Sequence, residues 1–294
     1  MTKKVLITGG DGFIAKSLNE ALSPWYEIDR FARNKLDLLD SACVEALVKK
    51  KNYDVVIHTA TYDAAPRFSI KDPSLVLQNN LKMFFNISRC ADYFGKMIYY
   101  GSGAEFGREN WVPKMKESYF DQNVPTDPYG LSKYIMTKHT MASKNIYNLR
   151  LFGVFGEHDD WRYRFISNAC LKSVLGKPIS FRKNVFFDFL YIKDLVKITE
   201  WFIENSPSLK VFNTCSGTSI DYQTLAEKII KLSGKDLDII LMNSGLGVEY
   251  SGDNTLLRDK IPDLTLTPIE RSLQLMCEWS QANIGLIDEK LFEY

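Results

Sequence analysis

The chain has 294 residues, of which 45% are hydrophobic, 13% aromatic and 25% charged, and its formal net charge is +1. This composition is that of an ordinary globular protein and argues against a disordered chain. A net charge near zero provides no overall positive field for holding nucleic acid or an anionic membrane, and we expect neither as a partner.

Five cysteines are spread along the chain without a Cys-x-x-Cys pair, and the three histidines do not have metal-ligand spacing. Scattered cysteines of this kind are typical of reduced thiols in the cytoplasm. We therefore expect a cytoplasmic protein without a metal site. The apolar run near the start is short and ends at two glycines, so the sequence predicts neither a signal peptide nor a membrane helix.

Strand-like and helix-like segments alternate through the first half of the chain. The pattern predicts strands at residues 4–8, 26–31, 54–58, 96–100 and 146–152, and helices at 13–22, 41–51 with a cap at Ser41, about 73–94, and 128–143. Such alternation predicts an α/β fold, with a doubly wound parallel sheet of the Rossmann type.

Beyond about residue 155 the alternation loosens. Helices are predicted at about 161–175, 194–204, 221–233 and 268–281, with short strands and loops between them, including the glycine-containing segment 243–254. We predict a dinucleotide-binding domain at 1–155, to which the segment 188–215 returns. Residues 156–187 and 216–294 are predicted to form a smaller mixed α/β lobe that binds substrate.

A glycine-rich turn, Thr8-Gly9-Gly10-Asp11-Gly12-Phe13, joins the first predicted strand to the first helix. Glycines allow a tight turn and let the main chain approach a pyrophosphate, and the N–H groups that begin the helix can bind its phosphates. The predicted cofactor contacts in this turn are Gly9, Gly12, Phe13 and Ile14.

The end of the second predicted strand bears on which dinucleotide binds. An acidic residue there is typical of NAD, whereas this chain has Ala32 followed by Arg33, whose guanidinium can bind a 2′-phosphate. Asp11, in the neighbouring turn, would repel that phosphate if it pointed inward. We expect NADP(H) in preference to NAD(H), with Asp37 and Leu38 at the adenine.

Tyr129 and Lys133 lie four residues apart in a predicted helix, which places a phenol and an ammonium on one helical face. A nearby ammonium stabilises the phenolate, as acid–base chemistry near neutral pH requires, because free tyrosine has a pKa of about 10. A second pair of equal spacing, Tyr134 and Lys138, is rotated by about 140° around the helix and is expected at the surface.

Ser102 follows the predicted strand 96–100 at the edge of the sheet where ligands bind. A hydroxyl at this place can hydrogen-bond a substrate oxygen. Ser102, Tyr129 and Lys133 are therefore the predicted catalytic residues.

Together these segments resemble the extended short-chain dehydrogenase/reductases, in the branch of sugar-nucleotide epimerases, dehydratases and reductases, and within it the GDP-fucose synthases most. The resemblance implies that Tyr129 is the general acid and base, that Lys133 lowers its pKa and binds the nicotinamide ribose, and that Ser102 orients the reacting oxygen. It further implies a nucleotide-diphosphate sugar as substrate and a homodimer. The cofactor contacts that it adds are Thr59, Ala60, Thr61, Asn80 and Phe152.

Departures from the family pattern narrow the activity. Dehydratases carry Asp-Glu directly after the Ser or Thr, where this chain has Gly103 and Ala104, so dehydration is not expected. The acid–base cysteine of the GDP-fucose synthases also falls on Ala104. Their histidine has no clear counterpart, because His158 matches an earlier histidine and Ser167 lies near the expected place, so epimerisation at carbons 3 and 5 is not expected.

The substrate contacts are less defined by the pattern. Members of the family often have an arginine that binds the substrate diphosphate at the position of Phe187. In this chain another basic residue has to take that role. The predicted substrate contacts are Gly103, Glu157, His158, Trp161, Arg162, Arg164 and Arg182.

We therefore predict an enzyme that uses NADPH to reduce the C4 keto group of a nucleotide-linked 4-keto sugar, in particular a 6-deoxy sugar. The alternative is a 4-epimerase that retains NAD and uses the same three residues in both directions. A third hypothesis is a non-catalytic protein that senses NAD(P), although such a protein has no need for Tyr129 and Lys133.

Overall fold

A computed structural model describes residues 2–63 and 69–286. Its strands are β1 (Lys4–Thr8), β2 (Glu27–Phe31), β3 (Val55–His58), β4 (Lys96–Ser102), β5 (Ile146–Leu151), β6 (Gly153–Phe155), β7 (Ile179–Phe181), β8 (Phe186–Tyr191), β9 (Val211–Thr214), β10 (Ser219–Asp221) and β11 (Ile239–Leu241). Its α-helices are α1 (Phe13–Leu22), α2 (Ser41–Lys51), α3 (Val76–Ser88), α4 (Pro128–Ala142), α5 (Phe165–Val174), α6 (Ile192–Glu204), α7 (Tyr222–Ser233), α8 (Thr255–Lys260) and α9 (Ile269–Ala282).

The main sheet has six parallel strands in the order β2-β1-β3-β4-β5-β9. After β2 the chain crosses β1 to start β3 on its other side, so the strand order reverses between β1 and β3. Ligands of open α/β sheets bind at such a reversal, beyond the carboxyl ends of the strands. The predicted fold class, a doubly wound parallel sheet, is confirmed.

Apolar layers cover both faces of this sheet, whose strands are mostly buried except for the edge strand β2. Val5 and Ile7 of β1 point into a core that contains Leu18 of α1 and Leu195 of α6. Leu6 points to the other face, into the core completed by α2, α3 and α4. The alternation along β1 therefore fixes α1 and α6 on one face and the other three helices on the opposite face.

Two smaller sheets lie in the second half of the chain. In one, β8 pairs with β6 in parallel and with β10 in antiparallel orientation, and in the other β11 pairs with β7. Of the segment 188–215, β9 forms the last strand of the main sheet, whereas β8 belongs to the smaller one. The division into two domains stays a prediction.

Some predicted boundaries differ from those of the structure. The helix expected at 73–94 is shorter: α3 lies between two 3₁₀ turns, and the main chain leaves the α region at Cys90, where φ is −93° and ψ is 17°. The cap of α2 is Asp40, not Ser41, because the Asp40 carboxylate accepts hydrogen bonds from two N–H groups of the first turn. Within residues 2–63 and 69–286, no helix is both long and apolar enough to cross a membrane.

Candidate active site

The carboxyl end of β4 and the first turn of α4 bring three polar side chains together. Ser102 is the last residue of β4, while Tyr129 and Lys133 lie in α4, which begins at Pro128. Asp127 caps α4 by accepting a hydrogen bond from the Gly130 N–H at 2.9 Å. We call these three residues the Ser102–Tyr129–Lys133 group.

Lys133 is buried, and its Nζ donates a hydrogen bond to the main-chain oxygen of Tyr100 on β4 at 2.8 Å. The same Nζ lies 5.6 Å from the centre of the Tyr129 ring. Burial lowers the pKa of the Lys133 ammonium to about 8. At neutral pH the side chain therefore still carries a positive charge, held beside the Tyr129 phenol.

Burial also raises the pKa of Tyr129, because the buried phenolate would be poorly solvated. The nearby charge of Asp63 raises this pKa further, whereas Arg164 and a hydrogen bond from Ser102 lower it. The pairing with Lys133 predicts a lowered pKa for Tyr129. The pKa is raised instead, because burial outweighs the neighbouring positive charges. Tyr129 is consequently protonated at neutral pH.

The second pair of equal spacing lies elsewhere on α4. Tyr134 donates a hydrogen bond to Asp121, and Lys138 pairs with the same carboxylate at 2.7 Å. The Lys138 side chain is half exposed. Helical rotation thus separates the two Tyr/Lys pairs, as expected from the sequence.

A buried polar network lies between α4, which carries Tyr129 and Lys133, and strands β5 and β9. Glu105 and Arg150 form an ion pair in which neither side chain is exposed to solvent. Thr137 of α4 donates to Glu105 at 2.8 Å, and Arg150 donates to Asn213 of β9 at 2.9 Å. The network ties α4 to β5 and β9 and so fixes the helix that carries Tyr129 and Lys133.

Tyr250 reaches the group from the segment between β11 and α8, and sequence reasoning missed it. Its hydroxyl lies 3.5 Å from Ser102 Oγ, and Ser102 Oγ also accepts a hydrogen bond from the Ala104 N–H at 3.2 Å. Phe152, predicted to contact the cofactor, lies 5.1 Å from Tyr250 between ring centres. The sequence predicts only a loop for this segment, and the residues around Tyr250 give no signal for this contact.

The glycine-rich turn forms a cradle at the reversal between β1 and β3. Gly9 has a φ of +68°, and a Cβ at this position would lie 2.8 Å from the main chain of Ala60. Gly12 precedes the first turn of α1, whose N–H groups are available to phosphates. The residues present therefore fit a dinucleotide, with the close approach of main chain that its pyrophosphate requires.

A cleft of about 310 Å³ extends from this cradle. Phe13 and Ile14, predicted contacts at the start of α1, pack against the core beside it. Asn80 accepts a hydrogen bond from the Tyr62 N–H at 2.7 Å and so fixes the loop after β3. The cleft is lined by Gly9, Asp11, Gly12, Ala32, Arg33, Leu36, Asp37, Leu38, Leu39, Thr59, Ala60, Thr61, Tyr62, Lys71 and Met83.

The charges at the outer end of the cleft include two cations. Arg33 is 74% exposed, and its Nε lies 3.7 Å from the carboxylate of Asp37. Lys71, which sequence reasoning missed, also lines the cleft, with its Nζ 5.2 Å from the centre of the Tyr62 ring. Asp11 lines the same cleft and adds a negative charge.

The residues predicted to contact the substrate do not lie together in the structure, and only some of them are near the Ser102–Tyr129–Lys133 group. Gly103 adjoins Ser102, and Arg164 is close enough to Tyr129 for its charge to lower the phenol pKa. Trp161 accepts a hydrogen bond from Asn168 through its main-chain oxygen, at the loop that leads into α5. Arg162 donates to Asp160 at 2.7 Å, and Arg182 is exposed after β7.

Glu157 and His158 are directed toward a different cleft, beside α1 and α6. His158 Nε2 lies 2.9 Å from the carboxylate of Glu20 on α1. Glu157 accepts a hydrogen bond from the Tyr191 hydroxyl at 2.8 Å and pairs with Lys193 at 3.0 Å. The structure therefore does not bring these two residues to the Ser102–Tyr129–Lys133 group.

Within the described part of the chain, no three His, Cys, Asp or Glu residues are placed to hold a metal ion. The cysteines, all in that part, are free thiols. The Ser102–Tyr129–Lys133 group itself offers a hydroxyl, a protonated phenol and an ammonium for catalysis.

Comparisons with known proteins agree with this geometry. The model of the NAD dependent epimerase/dehydratase family matches residues 5–215. A probable GDP-L-fucose synthase of Drosophila melanogaster is 23% identical, over 94% of this chain and 97% of that protein.

Among solved structures, the GDP-L-fucose synthetase of Naegleria fowleri bound to NADP has a TM-score of 0.85 at 18% identity, covering 97% of this chain and 96% of that chain. The UDP-glucose 4-epimerase of Thermotoga maritima has a TM-score of 0.81 at 19% identity, covering 96% of this chain and 99% of that chain. At these identities the two structures show the shared fold.

Proposed function

The chain belongs to the NAD dependent epimerase/dehydratase family, and we propose that it uses NADPH to reduce the C4 keto group of a nucleotide-linked 4-keto sugar. Members of this family are NAD(P)-dependent enzymes of the extended short-chain dehydrogenase/reductase type. The family assignment therefore makes this chain an NAD(P)-dependent enzyme of a family that includes nucleotide-sugar epimerases and reductases. The direction of the reaction and the preference for NADPH are the finer parts of the proposal.

The observation that carries the proposal is the arrangement of the Ser102–Tyr129–Lys133 group, in which the Lys133 Nζ lies 5.6 Å from the centre of the Tyr129 ring and Ser102 ends the neighbouring strand β4. A reductase has to deliver a proton to the oxygen that becomes the new hydroxyl, so the phenol must hold its proton before the reaction. Tyr129 holds its proton at neutral pH, as an ordinary tyrosine also does, and burial raises its pKa further. Gly103 and Ala104 leave the adjoining positions without the carboxylates that dehydration uses.

Each residue of the Ser102–Tyr129–Lys133 group then has a separate task. NADPH, when bound in the cradle formed by Gly9 and Gly12, supplies the hydride. Ser102 hydrogen-bonds the keto oxygen and holds it next to the Tyr129 hydroxyl, which donates the proton. The Lys133 ammonium compensates the negative charge that Tyr129 acquires, and its hydrogen bond to Tyr100 keeps it in place.

The substrate lobe that we propose, residues 156–187 and 216–294, offers Arg164 for the diphosphate of the substrate. Arg164 precedes α5, and its charge acts on Tyr129, so a phosphate held there lies near the reacting carbon. A guanidinium can bind phosphate oxygens through two parallel hydrogen bonds. We place the reaction in the cytoplasm, where the free thiols of the chain would stay reduced.

The preference for NADPH is supported by the wall of the cofactor cleft. Ala32 and Arg33 line it where an NAD enzyme has an acidic residue, and Lys71 adds a second positive charge. The positive charges of Arg33 and Lys71 are suited to neutralise a 2′-phosphate. The Arg33 guanidinium lies 3.7 Å from the Asp37 carboxylate and so reduces the repulsion that this carboxylate would exert on a 2′-phosphate.

A direct test offers the enzyme GDP-, UDP- and dTDP-linked 4-keto-6-deoxy sugars with NADPH or NADH and follows the loss of reduced-cofactor absorbance. Oxidation of one NADPH per sugar is the expected result. Interconversion of 4-hydroxy sugars without net oxidation would instead establish a 4-epimerase. No change in any sugar, with cofactor binding intact, would contradict both activities.

A further inference from the structure

Tyr250 is held rigidly by main-chain hydrogen bonds on both sides. Its N–H donates to the Phe186 oxygen at 2.9 Å, and the Asp188 N–H donates to the Tyr250 oxygen at 3.0 Å. One residue further on, the Ser251 oxygen accepts a hydrogen bond from the Met115 N–H at 3.0 Å. The segment is thus fastened to β8 and to the loop that follows β4.

Aromatic neighbours fix the direction of the Tyr250 ring. The side chain is 6% exposed and lies 4.1 Å from Trp111, 4.8 Å from Phe187 and 5.1 Å from Phe152, measured between ring centres. The Trp111 indole in turn donates to the Gly103 oxygen at 3.1 Å. The ring has no freedom to turn away, so the position of its hydroxyl is set by packing.

That hydroxyl occupies the space where a side chain at position 103 would begin. A Cβ on Gly103 would lie 2.7 Å from the Tyr250 hydroxyl and 2.8 Å from the Phe152 ring. Position 103 adjoins Ser102, so a polar group from a distant part of the chain replaces the side chain that this position lacks.

The contacts of Ser102 Oγ determine where its own hydrogen points. A hydroxyl has one hydrogen to donate and two lone pairs that accept. The Ala104 N–H occupies one lone pair at 3.2 Å, and the Tyr250 hydroxyl lies at 3.5 Å, in reach of the other. Burial raises the pKa of Tyr250, so this phenol keeps its hydrogen throughout the working range.

We propose that Tyr250 is a positioning residue: it donates a hydrogen bond to Ser102 and thereby directs the Ser102 hydrogen to the keto oxygen of the substrate. With both lone pairs of Ser102 occupied, the hydroxyl acts as a donor only, which is the form that stabilises a developing negative oxygen. The hydrogen bond is long without substrate and tightens when the keto oxygen binds. The part of this inference that concerns the keto oxygen rests on the proposed function, whereas the hydrogen bond between Tyr250 and Ser102 does not.

The test compares four proteins: the unchanged chain, Tyr250→Phe, Ser102→Ala and the double variant. Tyr250→Phe keeps the ring in its packing and removes one hydroxyl. With a 4-keto-6-deoxy sugar that the unchanged enzyme reduces, kcat should fall about 3- to 10-fold, while KM for sugar and NADPH stays the same. In the Ser102→Ala background the same change should have no further effect on kcat.

Tyr147→Phe is the matched control, because Tyr147 is also buried and its hydroxyl bonds to Lys210, away from the group. This control should retain the kcat of the unchanged enzyme. An unchanged kcat in Tyr250→Phe would overturn the proposal. So would an equal fractional loss with and without Ser102, because the effect would then not pass through that hydroxyl.

Urea unfolding of the same four proteins tests the hydrogen bond without any substrate. If Tyr250 and Ser102 are bonded, their effects on the free energy of unfolding are not additive. Additive effects would overturn the contact. Coupling in unfolding, together with an unchanged chain that reduces no keto sugar, would contradict the proposed function alone.

Discussion

The Nζ of Lys133 donates a hydrogen bond to the main-chain oxygen of Tyr100 at 2.8 Å, which joins the first turns of α4 to the end of β4. The ammonium lies 5.6 Å from the centre of the Tyr129 ring, and Ser102 follows two residues after Tyr100 on the same strand. This hydrogen bond, together with the Glu105–Arg150 network, holds α4 against β4 and so helps to set the relative position of the three members of the group.

Replacing Tyr129 by phenylalanine should lower kcat by two to four orders of magnitude, because the proton donor is lost while the ring remains. General acid catalysis contributes about 10²- to 10⁴-fold. The measurement is steady-state reduction of a 4-keto sugar, with NADPH binding followed by fluorescence. NADPH should bind as to the unchanged enzyme.

Tyr134→Phe is the control for that experiment, since Tyr134 bonds to Asp121 at the surface of the same helix. Activity in this variant should stay close to that of the unchanged enzyme. Near-normal turnover in Tyr129→Phe would remove Tyr129 from the reaction.

The rate of reduction should fall above about pH 8. The pKa of Lys133 is lowered to about 8, so its ammonium is present below this pH and is lost above it. Tyr129 keeps its proton over the same interval, because its pKa is raised. The expected profile of kcat is flat from pH 6 to 7.5 and declines about tenfold per unit above pH 8.

Lys133→Arg tests the assignment of that decline, because a guanidinium stays charged throughout this range. Its residual activity should show no decline near pH 8. A decline at the same pH in the arginine variant would assign the ionisation to another group.

Arg33→Ala should weaken NADPH binding about tenfold, because the loss of a charge-assisted hydrogen bond to the 2′-phosphate costs roughly 1.5 kcal/mol. NADH binding should change little. Fluorescence titration of both cofactors measures the two dissociation constants. Lys71→Ala, on the same cleft wall, reports whether the second cation shares this task.

Lys35→Ala serves as the control, because Lys35 is exposed two residues from Arg33 but does not line the cleft. Equal losses of NADPH and NADH in Arg33→Ala would mean that Arg33 does not touch the 2′-phosphate.

Glu105→Gln should destabilise the fold by about 3–5 kcal/mol, because it leaves the Arg150 charge buried without its partner. Urea unfolding measures the free energy directly. Glu45→Gln removes exposed ion pairs with Lys49 and Arg89 and should lower the free energy of unfolding far less than Glu105→Gln. Similar losses in the two variants would show that burial of the Glu105–Arg150 pair does not matter.

The elements around the cofactor cradle could be predicted because their signals are local. A β-branched run, a glycine turn and an amphipathic segment follow one another within residues 4–22, and β1 and α1 have the predicted bounds. The pairing of Tyr129 with Lys133 is also local, since both lie on one helix.

The features that could not be predicted depend on distant contacts or on backbone turns. Tyr250 and Ser102 are 148 residues apart, and no pattern near either one announces the other. Glu157 and His158 lie beside α1, at a turn where the main chain has a φ of +151° at Gly156 and +70° at His158, and local sequence patterns do not predict such a turn. The pKa of Tyr129 depends on burial, which the spacing of Tyr129 and Lys133 does not reveal.

The measurement that tests the central claim most directly uses NADPH carrying deuterium at the transferable position of its nicotinamide. The enzyme is incubated with this cofactor and a nucleotide-linked 4-keto-6-deoxy sugar, and the product is examined by mass spectrometry and NMR. The account predicts one deuterium at C4 of the new alcohol for each NADPH oxidised. A product without deuterium at C4, or sugar conversion without oxidation of NADPH, would contradict it.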